Sequence, residues 1–334
     1  MTTHACITGI GSYLPERILT NRDLEAMVDT SEEWIVARTG IRERRMVAEG
    51  EATSHLAVRA AEHALADAGV QPSGIDLLVL GTSSPDMIFP ATACLVQEAL
   101  GMTCPAYDVN AACSGFVFAL HAGVTAIESG RASRVLVIGA DALTRHIDFA
   151  DRTTCVLFGD GAGAVVLEAS DEPGVLGIVL GSDGSGAGLL KIPAGGSARP
   201  VTPGGARDAS RFVQMNGNEV FRFAVNAIPT ATLEALEASG HSIDDLAWLV
   251  PHQANQRILN TVEQRLGIPP ERVFSHVETT GNTSAASIPL ALDDLYTSGR
   301  IASGDLVALV GFGAGLTWGA AVVRWTKPRS IEEN

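Results

Sequence analysis

Ala64-Leu-Ala-Asp-Ala-Gly69, followed by Ile75-Asp-Leu-Leu-Val-Leu80, returns half a chain later as Ala235-Leu-Glu-Ala-Ser-Gly240, followed by Asp244-Asp-Leu-Ala-Trp-Leu249. Each copy reads as a helix end, a glycine stop, a short turn and a buried strand. Further along, Ser129-Gly-Arg131 ahead of Val135-Leu-Val-Ile-Gly139 is echoed, at the same separation, by Ser298-Gly-Arg300 ahead of Leu306-Val-Ala-Leu-Val310. A third echo pairs Gly159-Asp-Gly-Ala-Gly-Ala-Val-Val166 with Gly311-Phe-Gly-Ala-Gly315 at a shorter separation, so the first copy carries extra residues between Gly139 and Gly159. Three matches in one order point to internal duplication, the first thing to look for in a chain of this length.

The duplication divides the chain into two α/β halves, 1–172 and 173–334, with Asp171-Glu-Pro-Gly174 as the turn between them. Continuous apolar runs such as Leu77–Leu80, Val135–Ile138 and Leu306–Val310 suit strands covered on both faces by helices. The expected architecture is layered, with sheets between helices and a helical layer in the middle. Residues 181–216 are rich in Gly, Ser and Pro without periodicity, and a loop of that length is expected to border an active site or a dimer surface.

Composition narrows the function classes. The 334 residues are 46% hydrophobic and 18% charged, enough to bury a large core, and 35 glycines against 5% aromatics suit an α/β enzyme. A net charge of −15 argues against nucleic acid or an anionic membrane as partner, because phosphate binding needs a basic surface. Lys191 and Lys327 are the only lysines, so cationic roles fall to arginine. The first ten residues carry no basic segment ahead of an apolar stretch, and no segment reaches the roughly 18 apolar residues of a membrane helix, which reads as cytoplasmic. Five cysteines without C-x-x-C spacing suggest neither a disulfide framework nor a metal site.

One cysteine stands apart. Asp108-Val-Asn-Ala-Ala-Cys113-Ser-Gly-Phe-Val-Phe-Ala-Leu120 places Cys113 at a turn before an apolar run reaching Ile127. If that run is a helix, its free N–H groups and dipole favour a thiolate at Cys113; the same pattern equally describes a buried cysteine in a tight helix start. His252, in Pro251-His-Gln-Ala-Asn255, lies just beyond the apolar strand Leu246–Val250, at the carboxyl end where α/β proteins gather functional groups. Gly281-Asn282-Thr-Ser-Ala-Ala-Ser287 is a tight turn with an amide donor. Each alone has a bland reading. Together, a Cys in one half with a His and an Asn in the other can form a single site where the halves meet. Gly311-Phe-Gly-Ala-Gly315 lacks the Lys and Ser/Thr of a P-loop, but allows the close backbone approach that aims N–H groups at an oxyanion.

These motifs resemble the ketoacyl synthase III branch of the thiolase superfamily. The likeness runs nearly end to end, from Gly9-Ile-Gly-Ser-Tyr-Leu-Pro15 through Thr30-Ser-Glu-Glu-Trp-Ile35 and Arg38-Thr-Gly-Ile41 to Thr317-Trp-Gly319. It implies a thiolase-like fold of five layers, α-β-α-β-α, and a decarboxylating Claisen condensation of acyl-CoA with malonyl-acyl carrier protein. By that resemblance Cys113 takes the acyl group, and His252 and Asn282 stabilise the enolate. The N–H groups of Cys113 and Ala314, the latter standing where the family usually has Gly, would form the oxyanion hole. Phe312 and Met87 would border the acyl pocket, and Phe89 matches a position that limits the pocket from a neighbouring subunit, implying a homodimer. No cofactor is implied, coenzyme A entering as a substrate.

The resemblance further implies that Trp34 and Arg152 grip the adenine of coenzyme A, with Arg38, Thr39, Gly217, Phe221 and Asn255 along the pantetheine path. Carrier protein is acidic, and Arg222, Arg257 and Arg265 are the candidate basic patch that receives it. Three other readings stay open from sequence: a specialised synthase with a different acyl group or acceptor, a thioester hydrolase, and a non-catalytic acyl-CoA-binding protein. A degradative thiolase is disfavoured, because the second cysteine expected of it is missing from Gly311–Gly315.

Overall fold

The computed structural model describes residues 3–201 and 208–327. Five strands form one sheet: β1 (His4–Tyr13), β2 (Leu77–Gly81), β3 (Ala106–Val109), β4 (Arg134–Ala142) and β5 (Asp160–Ser170), in the order β1-β5-β4-β2-β3. Four form a second: β6 (Val175–Ser182), β7 (Trp248–Pro251), β8 (Leu306–Gly313) and β9 (Thr317–Arg324), in the order β7-β8-β9-β6. Pairing is parallel for β2 with β3 and β4 and for β7 with β8, and antiparallel elsewhere in both sheets. The first sheet's order β1-β5-β4-β2 thus recurs as β6-β9-β8-β7 in the second, and β3 alone has no counterpart. The Asp171–Gly174 turn lies in the connection between β5 and β6.

The seven longer helices are α1 (Glu32–Thr39), α2 (Thr53–Ala68), α3 (Thr92–Ala99), α4 (Gly115–Glu128), α5 (Gly217–Ala238), α6 (Gln256–Leu266) and α7 (Ser287–Thr297). Strand alternation sorts them into layers. Val135 and Val137 of β4 join a core with Phe116 and Leu120 of α4, Ile288 and Leu292 of α7, and Val307 and Leu309 of β8. Leu136 and Ile138, on the other face of β4, pack with Leu56, Ala60 and Ala64 of α2. Across the molecule, Ala308 and Val310 face Ala224 and Ile228 of α5 and Ile258 and Val262 of α6. Helices α4 and α7 therefore form the middle layer between two sheets, with α2 and α3 outside one and α5 and α6 outside the other: five layers of a thiolase fold. Side chains buried on this scale contribute roughly 1.5–3 kcal/mol each.

One sequence echo needs correcting. Gly139 pairs with Gly163 across β4 and β5, as Gly311 pairs with Gly319 across β8 and β9. The counterpart of Gly311 is thus Gly139, not Gly159. Runs of small residues resemble each other in any register, and only strand pairing identifies the right one. Of the 181–216 segment, Leu190–Lys191 pairs with Gln214–Met215 in a short ribbon, and 202–207 lie outside the described residues. Among the described residues no helix is long and apolar enough to cross a membrane.

Candidate active site

Strand β3 ends at Val109, and four residues later the chain turns through Cys113 into α4. The turn is strained: Ala112 has φ +47°, and Ser284, beside Cys113, has φ +52°, the two non-glycine residues with positive φ among the described residues. Such conformations cost roughly 1–3 kcal/mol each and persist where the surroundings over-determine them. Here the surroundings are hydroxyls. Ser114 Oγ lies 2.7 Å from Ala111 O and 2.9 Å from Thr317 Oγ1, with one hydroxyl hydrogen to give, and Thr317 Oγ1 in turn lies 2.9 Å from Ala111 O and 3.0 Å from Ala314 O. The Cys113 turn is thereby tied to the Gly311–Gly315 loop at the end of β8. Gly313 makes that approach possible, since a Cβ there would lie 2.6 Å from Cys113 N.

His252 follows directly on β7, its N–H donating to Val310 O at 2.8 Å. Its ring packs edge-on against Phe312, centroids 5.3 Å apart. Nδ1 is buried without a partner, which leaves Nε2 to meet a ligand. Burial pushes the imidazole down to about 3, so it is neutral at working pH. Asn282 is fixed at the backbone by Asn282 N to Leu157 O and Gly159 N to Asn282 O, both 2.9 Å. Its Oδ1 accepts from Ser284 N at 2.9 Å, which orients its NH2 group as the free donor.

Cys113, His252, Asn282 and Phe312 line one cavity of about 220 Å³, whose mouth is formed by Gly217, Phe221, Asn255 and Arg257. A second cavity of about 260 Å³ also meets Cys113, lined by Ala314, Ser284, Leu143, Phe158, Leu190 and Val213 among others. Cys113 thus sits where the first cavity, a tunnel, meets the second, both lined mainly by apolar side chains. Burial pushes the Cys113 thiol up to about 12, the Ser284 hydroxyl opposing and the charge of Asp141 reinforcing the shift. The helix start favours the thiolate, but a helix terminus is worth at most about 2 kcal/mol, some 1.5 units at about 1.36 kcal/mol each. Burial prevails, and the resting group is a thiol.

The 320 residues aligned with beta-ketoacyl-(acyl-carrier-protein) synthase III of Xanthomonas axonopodis pv. citri are 52% identical, covering 96% of this chain and 98% of the relative. This chain belongs to the 3-oxoacyl-(acyl-carrier-protein) synthase III family. The family description of that name matches residues 107–184, and its C-terminal counterpart matches residues 236–325. The Thermus thermophilus synthase III structure superposes with TM-score 0.90 at 48% identity, covering 96% of this chain and 99% of that one. The priming beta-ketosynthase of the R1128 polyketide pathway superposes with TM-score 0.91 at 39% identity, covering 97% of each. Membership makes the protein a condensing acyltransferase.

The remaining family-matched residues fall in three places. Trp34 lies under two guanidinium groups, Arg38 at 4.7 Å and Arg152 at 5.3 Å from its ring, and Arg38 O accepts from Asn255 Nδ2 at 3.2 Å, which connects this cluster to the tunnel mouth. Thr39 is not brought to the cavity. It is buried, its hydroxyl donating to Ile35 O and accepting from Ile41 N at the end of α1. Met87 lines an outer cavity beyond Ser83 and Asn110, whereas Phe89 is 82% exposed and touches neither cavity at Cys113. Of the arginines, Arg257 lies 5.8 Å over Phe221 at the mouth and Arg222 is exposed, ion-paired with Glu219 at 3.3 Å. Arg265 is engaged by Val225 O at 3.0 Å and by Asn226 Oδ1.

Sequence reading missed Ser284, Thr317, Leu190, Val213 and Asp141. For most of them no local signal exists. Asp141 did leave one: a carboxylate two residues after the apolar run Val135–Gly139, where a charge would be buried.

Proposed function

We propose that this protein condenses an acyl-CoA primer with malonyl-acyl carrier protein, releasing CoA and CO2 and forming the 3-oxoacyl-carrier protein that starts a fatty-acid chain. The observation that carries this reading is a buried cysteine sharing one tunnel with a neutral imidazole and an oriented amide. In the first half-reaction the Cys113 thiol displaces CoA, its proton leaving with the CoA sulfur, and the acyl chain enters the apolar pocket. In the second, His252 Nε2–H and Asn282 Nδ2–H donate to the thioester carbonyl of the malonyl group. As CO2 leaves, its electron pair becomes an enolate held by those two donors. The enolate carbon attacks the acyl carbonyl, whose oxyanion is received by the N–H groups of Cys113 and Ala314. The Cys113 thiolate departs and takes a proton from solvent.

The low basicity of His252 supports this assignment, because an imidazole pushed down to about 3 can still donate to an enolate but is a weak base toward water, where a hydrolase would need a stronger one. Trp34, with Arg38 and Arg152 beside its ring, is suited to a purine, and the acidic carrier protein would approach Arg222 and Arg257 at the mouth. Arg265, held by α5, is the weaker member of that patch. Consecutive exposed Met87, Ile88 and Phe89, with the open edge of β3, support a homodimer in which this loop meets the second copy. The cytoplasmic location expected from the sequence accompanies this reading.

The test is intact-protein mass spectrometry with a panel of acyl-CoAs, followed by malonyl-acyl carrier protein. Cys113→Ser should form no adduct. Asn282→Ala should acylate normally yet lose a hundredfold or more in condensation, the order of magnitude for one deleted oxyanion donor. An adduct on Cys113→Ser, or loss of the wild-type adduct to water alone, would overturn the assignment.

A further inference from the structure

Behind the nucleophile lies a carboxylate that the reaction above does not use. Asp141, at the end of β4, is wholly buried. Its Oδ1 accepts from Ser83 N at 2.8 Å, Ser84 N at 2.9 Å, Ser84 Oγ at 2.7 Å, and the Thr82 and Ser83 hydroxyls at 3.1 Å each. Its Oδ2 accepts from Ala285 N at 3.0 Å. One side chain therefore binds two separate segments: the loop after β2, and the turn that follows Asn282. A buried carboxylate so fully satisfied is held firmly, and removing one partner of such a group is expensive.

The second segment is the informative one. Its first residue, Ser284, holds the strained φ of +52°, donates its N–H to Asn282 Oδ1, and presents its hydroxyl to Cys113 and, at 3.4 Å, to Ser83 Oγ. Its next residue donates to Asp141. Gly139 leaves room for it, since a Cβ there would fall 2.3 Å from Ala285 O. The backbone of Asn282 is fixed by Leu157 and Gly159, but its side chain is oriented through Ser284 N. Release of the turn would let the amide rotate and turn its oxygen, an acceptor, toward a developing enolate. The nucleophile turn has its own ties through Ser114 and Thr317 and does not depend on Asp141 in this way.

Resting on the function assigned above, we propose that Asp141 is a positioning residue for the condensation step. By holding the 284–286 turn against the loop after β2, it fixes the direction in which Asn282 donates. Asn at position 141 has the same shape but must point its NH2 at either Ala285 N or the amides of Ser83 and Ser84, donor against donor in both cases.

The test compares wild type with Asp141→Asn and the milder Ser84→Ala, which removes one donor. Three quantities are read: the rate of acyl adduct formation, the rate of product formation from preformed acyl-enzyme, and the pH dependence of Cys113 alkylation by iodoacetamide. The titratable groups that feel Asp141 are Cys113, His146 and Asp160; His146 is lowered from its ordinary value and Asp160 raised to about 6, chiefly by burial, so only the thiol titrates above neutrality. For Asp141→Asn, acylation should stay within about fivefold of wild type, condensation should fall at least about thirtyfold, and the alkylation midpoint should move to lower pH as a repelling charge is removed. Ser84→Ala should show the same split more weakly, and decides the matter if Asp141→Asn does not fold. Equal losses in both steps, or a wild-type ratio in both variants, would overturn the inference. Failure of wild type itself to acylate or condense would instead overturn the assigned function, and this inference with it.

Discussion

At the residue scale, the site is built from uncharged partners. Cys113 is a thiol and His252 a neutral imidazole because both are buried, and burial penalises whichever form carries charge. Two consequences follow in pH. Alkylation of Cys113 should keep rising with pH well past the range of a free cysteine, and a midpoint below about pH 8 would show that the helix start outweighs burial. Condensation on preformed acyl-enzyme should show no inflection near the ordinary histidine value. With a folded value of about 3, His252 stays neutral throughout the range where a solvated histidine titrates. A step near pH 6.5 that disappears in His252→Ala would contradict this. Cys113 was legible in the sequence because it stands at a turn before an apolar run, and His252 because it follows one, both places where functional groups collect. Their protonation states were not, because burial belongs to the assembled site.

The working unit at the element scale is a strand end joined to a loop. The end of β8 approaches the Cys113 turn so closely that Gly313 has no room for a side chain, a Cβ there falling 2.6 Å from Cys113 N. Gly313→Ala should therefore displace either the loop or Cys113. Overpacking of this kind typically costs about 1–3 kcal/mol, so a fall of several degrees in melting temperature is expected, with at least a tenfold loss of acylation rate. Unchanged acylation would mean that the loop does not help to hold the oxyanion. The Gly-rich motif was readable as a place of close approach; that it approaches Cys113, across the middle helical layer, was not, since the two are distant in sequence.

The whole molecule places this site where two sheets of related strand order enclose a shared pair of helices. Its acid response should reflect carboxylates buried away from the site. Asp293 on α7 is raised to about 6, chiefly by burial, with the Ser12 hydroxyl opposing and the Asp294 and Asp67 charges adding to the shift. Its folded value lies above its unfolded one of 3.8. The folded state therefore holds the proton more tightly, and stability falls as pH rises from about 4 to about 6. Asp293→Asn keeps an acceptor for Ser12 and should raise the melting temperature at pH 8 while changing little at pH 3.5; the reverse order would refute the sign. Assembly is expected at the same scale. Replacing Ile88 and Phe89 together with Asp should convert a dimer to a monomer by light scattering, and a monomeric wild type would remove the role given to that loop.

The periodicity of apolar runs and the order of repeated motifs by themselves determined the layered α/β class, the turns carrying Cys113 and Asn282, the strand end carrying His252, and the idea of one site between two halves. That information is local, set by backbone preference and by which faces must leave water. Tertiary structure decided the rest. It put Gly311 in register with Gly139, turned Thr39 inward to cap its own helix, occupied Arg265 with α5, and joined Asp141 to the turn beyond Asn282. The Thr39 bonds are local to the end of α1, but the others join groups farther apart in the chain, as Asp141 and Ala285 are, which come into reach only when the strands and layers assemble.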